Sequence, residues 1–274
     1  MPNRLVIESG STKADWVLLN KKKVVFETSS IGLNPKVISL EKFQNIAQSV
    51  LISMHDLEVN ELYFYGSGII GFEDKIKRIF ENLLPIDKVK IQSDLMAACY
   101  ASSFENKLIC ILGTGSYVGY FKKNKLIETR LGHGYIIGDL CSGSEFGKIL
   151  VRDYLNGEAP FVIGDEIHYS TAEIKNEIYQ EEFPNRFLAS LFPILSRHKT
   201  TDYVKEIIHN QISLLDQKGI QSLKSTCQNI CFIGGVACQL SQELDNYFGP
   251  HFKLEFIERP IEKLISYHQT KLLD

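Results

Sequence analysis

Two short turns concentrate the groups that could hold a phosphate. Ser9-Gly10-Ser11-Thr12-Lys13 and Gly113-Thr114-Gly115-Ser116 each follow a run of apolar residues. Glycine lets the backbone approach a ligand closely and adopt positive φ. Successive N–H groups with hydroxyls beside them then form a nest for an anion. Ordinary hairpins also use Gly, Ser and Thr, so either turn alone is open to that reading. Two at matching places suit a nucleoside triphosphate, which two related domains would hold with one nest each. Neither turn is a GxxxxGK[ST] loop, which excludes a P-loop enzyme.

Other residues invite a chemical reading beside a bland one. Gly66-Ser67-Gly68 and Gly234-Gly235 follow apolar runs. They could start helices packed closely on a sheet, and the second could let a base or ribose lie against the backbone. Asp94 follows the run VKIQ and precedes a helical pattern. As spacing alone has it, this carboxylate is a cap or first-turn residue; near a substrate hydroxyl it could accept a proton. Asn34 before Pro35 reads as a turn, and His133 is one of seven histidines. The six cysteines show no CxxC spacing of a zinc or redox site and read as small hydrophobes in a reducing compartment.

The elements that position these residues are written twice. Residues 5–28 and 108–129 each contain a β-rich run, a polar turn, a second run, a lysine-rich turn and a third run. After the first meander, Leu40, Phe43, Ile46, Ala47, Val50, Leu51 and Met54 recur at helical spacing. A strand ending in glycines at 66–68 follows, then a helix with Ile76, Ile79, Phe80 and Leu83 on one face, then strand 89–92 and a helix near Asp94. After the second meander come a helix marked by Tyr203, Val204, Ile207, Ile208, Ile212 and Leu215, the strand NICFIGG, a helix at about 238–248, strand 252–256 and a last helix from Pro260. Both halves read βββαβαβα. The second carries a helical insertion at about 131–229, with helical patterns at 144–155 and 170–181. The expected architecture is layered α/β, in two domains at 1–106 and 107–274, with the last helix, about 260–273, free to return to the first domain.

Composition narrows the function. The 274 residues suit one large or two ordinary domains at about 150 residues each. A net charge of -3 is a poor footprint for nucleic acid or an anionic membrane. The first ten residues lack the apolar core of a signal peptide, and no apolar run approaches the ~18 residues of a membrane helix. The expectation is a soluble cytoplasmic protein without nucleic-acid or membrane partners; a homodimer is compatible with the sequence.

Eight segments occur in an order that resembles the small bacterial N-acetylglucosamine kinase-like proteins of the actin/hexokinase/heat-shock-ATPase superfamily. They are ESGSTKADW, GLNP, SDLMAA, GTGSYVGYF, GHGYIIGDLCSG, PNRFLAS, FIGGVA and RPIEKLISYH. The resemblance spans residues 5 to about 268 and implies two ribonuclease-H-like domains of the actin-like ATPase fold with a central cleft. It also implies transfer of the γ-phosphoryl group of ATP to a sugar hydroxyl with Mg²⁺. In that reading Ser11, Thr12, Lys13, Thr114, Gly115 and Ser116 match the phosphate turns, and Gly234 and Gly235 the adenosine motif. Asn34, His133, Gly134, Tyr135 and Asp139 match sugar-binding positions, Asp94 the catalytic base, and Glu8 the carboxylate near the metal. The substrate expected is an N-acetylated amino sugar, N-acetylglucosamine or a close analogue.

Four positions depart from the family pattern. Glu8 stands where an aspartate is usual. Gly138-Asp139-Leu140-Cys141-Ser142 lacks the glutamate and second glycine of GDEGS, and Lys263 replaces a C-terminal glycine. Glu8 and Leu140-Cys141 motivate an alternative, a catalytically weakened ATP- or sugar-binding relative. A third reading, an ATPase activator of a dehydratase with a cysteine-ligated iron–sulfur cluster, lacks the paired cysteine motif expected for it.

Overall fold

A computed structural model describes residues 2–54, 57–223 and 227–270. The chain divides into two compact units, Met1–Ser103 with Arg259–Asp274, and Phe104–Glu258. The division falls three residues before the 106/107 boundary read from the sequence pattern.

The first unit contains β1 (Arg4–Ser9), β2 (Lys13–Asn20), β3 (Lys23–Ile31), α1 (Leu40–Ser53), β4 (Glu61–Gly66), α2 (Glu73–Leu83), β5 (Lys88–Ser93) and α3 (Asp94–Ala101). Its sheet has the order β3-β2-β1-β4-β5. The meander is antiparallel, whereas β1, β4 and β5 run parallel, which requires the crossovers that α1 and α2 supply. Side chains of successive strand residues take opposite faces. On one face Trp16, Phe43, Phe64 and Phe80 form an aromatic core with ring centroids 5.7–6.4 Å apart. On the other, Val6, Val17, Leu19, Tyr63 and Tyr65 pack with Ala97. Ser39 caps α1 by accepting from the Lys42 N–H at 3.1 Å.

The second unit contains β6 (Asn106–Leu112), β7 (Ser116–Lys122), β8 (Lys125–Arg130), α4 (Gly143–Leu155), α5 (Phe161–Gly164), α6 (Thr171–Tyr179), α7 (Pro184–Ser190), α8 (Phe192–Arg197), α9 (Asp202–Leu215), β9 (Asn229–Ile233), α10 (Gly235–Gln239), α11 (Ser241–Phe248) and β10 (Lys253–Ile257). The sheet order, β10-β9-β6-β7-β8, repeats that of the first unit. The duplication reaches local irregularities. The β2–β3 ladder shifts register between Leu18 and Leu19, and the β7–β8 ladder between Tyr120 and Phe121, the same place in each meander. A bulge strengthens local twist, so both edge strands bend alike. The helix expected over 238–248 is broken at Leu240 into α10 and α11. The final helix, α12 (Pro260–Thr270), belongs to the first unit, where Ile261 and Leu264 join the Val6 cluster and Tyr267 stacks on Tyr100 at 4.4 Å. Among the described residues no helix is long and apolar enough to cross a membrane.

Candidate active site

In each unit the parallel register collects separate segments at one sheet edge. Ser9 pairs with Gly66, and Gly66 with Ser93. The turn after β1, the glycine-containing end of β4 and Asp94 at the start of α3 therefore share the carboxyl end of the first sheet, the edge at which α/β sheets bind ligands. In the second sheet Ile111 pairs with Ile233, which places the turn after β6 beside Gly234.

The first turn is braced from within its unit. Gly10 N–H donates to the Lys13 carbonyl at 3.0 Å, closing the hairpin. The Ser9 hydroxyl accepts from Leu33 N–H at 2.8 Å. Asn34 is buried: its Nδ2 donates to Ser11 Oγ at 2.9 Å, and its Oδ1 accepts from Lys36 N–H at 3.0 Å. Asn34 thus both makes a turn of its own and braces the Ser9–Lys13 turn. Thr12 and Lys13 are exposed, and Lys13 Nζ lies 2.7 Å from Asp15.

Three carboxyl groups gather at this edge. Glu8 and Asp15 are cross-strand partners. Asp15 is buried and paired with Lys13 and, at 3.2 Å, with Arg259. Burial pushes the Glu8 carboxyl up to about 8, with Asp94 and Asp15 adding to the rise and Arg259 and Lys13 opposing it. Burial likewise pushes Asp94 up to about 7, against hydrogen bonding from the Leu95 N–H, which lies 2.9 Å from Oδ1. Asp94 is a first-turn residue of α3 behind the N-cap Ser93. Among the described residues no ion pair holds it. A carboxyl poised near neutrality is suited to proton transfer at physiological pH.

In the second unit the turn, Asp139 and the start of α4 form one hydrogen-bonded block. Gly143 N–H donates to the Gly113 carbonyl at 2.8 Å and Ser144 N–H to the Thr114 carbonyl at 3.1 Å. Buried Asp139 accepts from the backbone N–H groups of Ser116 and Gly134, which partly offset the rise that burial imposes on its carboxyl. A Cβ on Gly115 would lie 2.7 Å from Asp139 Oδ2, so glycine is needed for that approach. Among the described residues Ser116 Oγ is buried without a hydrogen-bond partner, and an oxygen of a bound phosphate would supply one. His133 and Gly134 are exposed; Tyr135 is half-buried, its carbonyl accepting from Lys148 Nζ at 2.7 Å.

The departures from the family pattern have local consequences. Cys141, at the second glycine of the GDEGS pattern that the resemblance implies, keeps φ at +60°, and Asp139 sits at +57°. A left-handed conformation costs a side-chain-bearing residue about 1–2 kcal/mol. Cys141 is fully buried in the core of the unit, which offsets part of that cost. Gly234 has φ +109°, and a Cβ there would lie 2.6 Å from the Leu112 carbonyl oxygen. Gly235 then opens α10 with nothing within 4 Å of its Cβ position.

Among the described residues no group of three or more His, Cys, Asp or Glu could hold a metal ion. Mg²⁺ needs no such cage: one or two carboxylates with waters and substrate phosphates suffice. Glu8, with acids crowding it, fits that requirement. Asp15 and Arg259 were not singled out by sequence reasoning. The available signal was an acid in the apolar strand ADWVLL, since a buried polar residue is more informative than an exposed apolar one.

No protein-family model matches the chain, and no curated protein does. Solved structures do. A candidate N-acetylglucosamine kinase from Porphyromonas gingivalis superposes with a TM-score of 0.89 at 26% identity, covering 98% of this chain and 99% of its own. A second candidate N-acetylglucosamine kinase, from Chromobacterium violaceum, gives 0.75 at 12% identity over 97% and 99%. A ROK family glucokinase from Streptomyces griseus, solved with glucose and AMPPNP, gives 0.57 at 14% identity over 97% of each chain. The last two likenesses show the fold alone. These three neighbours, a glucokinase and two candidate N-acetylglucosamine kinases, share the two-unit α/β architecture of the actin-like ATPase fold that the ordered motifs imply.

Proposed function

We propose that this chain, built on the fold of those kinases, transfers the γ-phosphoryl group of ATP to a hydroxyl of an N-acetylated amino sugar. N-acetylglucosamine is the first candidate substrate. The observation that carries the reading is Asp94: a half-buried carboxyl near neutral pKa, without an ion pair among the described residues, on the sheet edge that also bears the Ser9–Lys13 turn. In this proposal Asp94 orients the sugar hydroxyl and accepts its proton. Asp139, Asn34 and the His133–Tyr135 stretch hold the sugar; Asp139 offers a carboxylate able to accept from hydroxyls. Thr114, Gly115 and Ser116, with Ser11, Thr12 and Lys13, hold phosphate oxygens, and Gly234-Gly235 lie against the adenosine. Glu8 is the residue that would hold Mg²⁺, directly or through water. Bound Mg²⁺ supplies neutralisation of the charge on the transferring phosphoryl group.

A coupled ADP-release assay across a sugar panel tests this. Release that rises with an N-acetylated amino sugar and collapses in Asp94→Asn is expected. No sugar-dependent release would overturn the reading.

One observation favours a second reading, a weakened ATP- or sugar-binding relative. Glu8 holds its proton at neutral pH, and its reach is one methylene longer than the aspartate of the family pattern. Binding of ATP–Mg²⁺ or sugar by calorimetry without turnover, with turnover recovered in Glu8→Asp, is the outcome this reading predicts.

A further inference from the structure

The geometry points to Gln211 as a positioning residue for Asp139. Gln211 lies on α9, far in sequence from both phosphate turns, and its side chain is buried. Its Oε1 accepts from the Cys141 N–H at 3.0 Å, a buried hydrogen bond. Cys141 is two residues beyond Asp139, and both hold left-handed backbone conformations that disfavour side-chain-bearing residues. The segment between them closes on itself, with Ser142 N–H donating to the Asp139 carbonyl at 3.2 Å. Without Gln211 the Cys141 N–H would be buried and unsatisfied, and the strained turn would lose the contact that fixes it from α9. The Asp139 carboxyl would then lose its placement against Ser116 and Gly134.

Gln211 therefore acts through the backbone rather than on substrate. Its own side chain also borders a cavity of about 330 Å³ lined by Ile149, Tyr203, Ile207 and Asn210, so an apolar replacement meets space as well as packed atoms. The inference rests on the proposed role of Asp139 in holding sugar hydroxyls.

The test compares wild type with Gln211→Leu, which removes the acceptor, and Gln211→Glu, which keeps one at similar reach. Amide hydrogen exchange of full-length protein is read over residues 134–144 and over β6 and β9. In Gln211→Leu, exchange over 134–144 is expected to quicken about tenfold or more while the strands stay unchanged. The sugar KM is expected to rise about tenfold with kcat within about twofold. Gln211→Glu is expected to return both readings toward wild type. Unchanged exchange in Gln211→Leu, equal quickening throughout the unit, or a Glu variant as impaired as the Leu variant would overturn the assignment. A wild-type protein without sugar-dependent turnover would sink the kinase reading, and the exchange comparison would still decide Gln211.

Discussion

His268 Nε2 lies 3.0 Å from the Tyr65 hydroxyl, joining the last described helix to the parallel part of the first sheet. The imidazole is fully buried and packs at a tilt against Tyr63 with centroids 4.4 Å apart, and the His268 backbone carbonyl accepts from Arg4 at 3.0 Å. Burial, then the charges of Arg4, Lys90 and Lys88, holds its pKa down to about 3. The folded protein therefore keeps this histidine neutral where the unfolded chain would protonate it.

The sign of the pH effect follows. Between about 6.5 and 3 the unfolded state binds the extra proton, so this contribution to stability is present above pH 6.5 and lost as pH falls. The expected slope is up to about 1.4 kcal/mol per pH unit in that window. Urea unfolding of wild type and His268→Gln from pH 7 to 4 checks this. The variant starts less stable and shows a shallower decline; parallel curves would contradict the prediction.

Asp94 has the opposite sign. Its pKa is raised in the folded state, so ionising it costs stability as pH climbs from about 4 through about 7. Asp94→Asn should gain on the order of 2 kcal/mol at pH 8 while losing about 10²–10⁴ in kcat. The wild-type kcat/KM should rise with pH through about 7. Thermal unfolding and the pH–rate profile measure the two sides. A variant both active and no more stable would refute the assignment.

Burial pushes the Glu8 carboxyl up to about 8, which favours its protonated form at neutral pH. A cation on its carboxylate must displace that proton, because metal binding favours the ionised ligand. Binding of ATP–Mg²⁺ at pH 7 should release about one proton from this group. The release is read by calorimetry in buffers of different ionisation enthalpy. Glu8→Gln should remove most of it and weaken Mg²⁺-dependent nucleotide binding by about tenfold.

Gly234 tolerates no side chain on two counts, its φ of +109° and the Leu112 carbonyl 2.6 Å from where a Cβ would sit. Gly234→Ala should cost about 1–3 kcal/mol from backbone conformation alone, with displacement of β6 added. Gly235→Ala, which meets nothing within 4 Å, should fold like wild type. Denaturant midpoints of the two variants separate these expectations.

The duplicated βββαβαβα pattern, the two glycine–hydroxyl turns and the helical insertion are legible in the chain alone. These are short-range matters: period-two alternation, helical spacing and turn chemistry are written within a dozen residues. Tertiary structure decided what those features meet. Spacing alone left Asp94 a helix-start carboxylate; burial beside the strand ends raises its pKa to about 7. Spacing did not reveal that Asp15 stands across from Glu8, that Arg259 returns from the far end of the chain to pair with it, or that Gln211 reaches the Cys141 backbone. Nor did it predict the break at Leu240, where periodicity runs on but the helix does not. Desolvation, charge pairing and satisfaction of buried N–H groups depend on neighbours brought together only by sheet register and helix packing, and no local pattern in the chain encodes them.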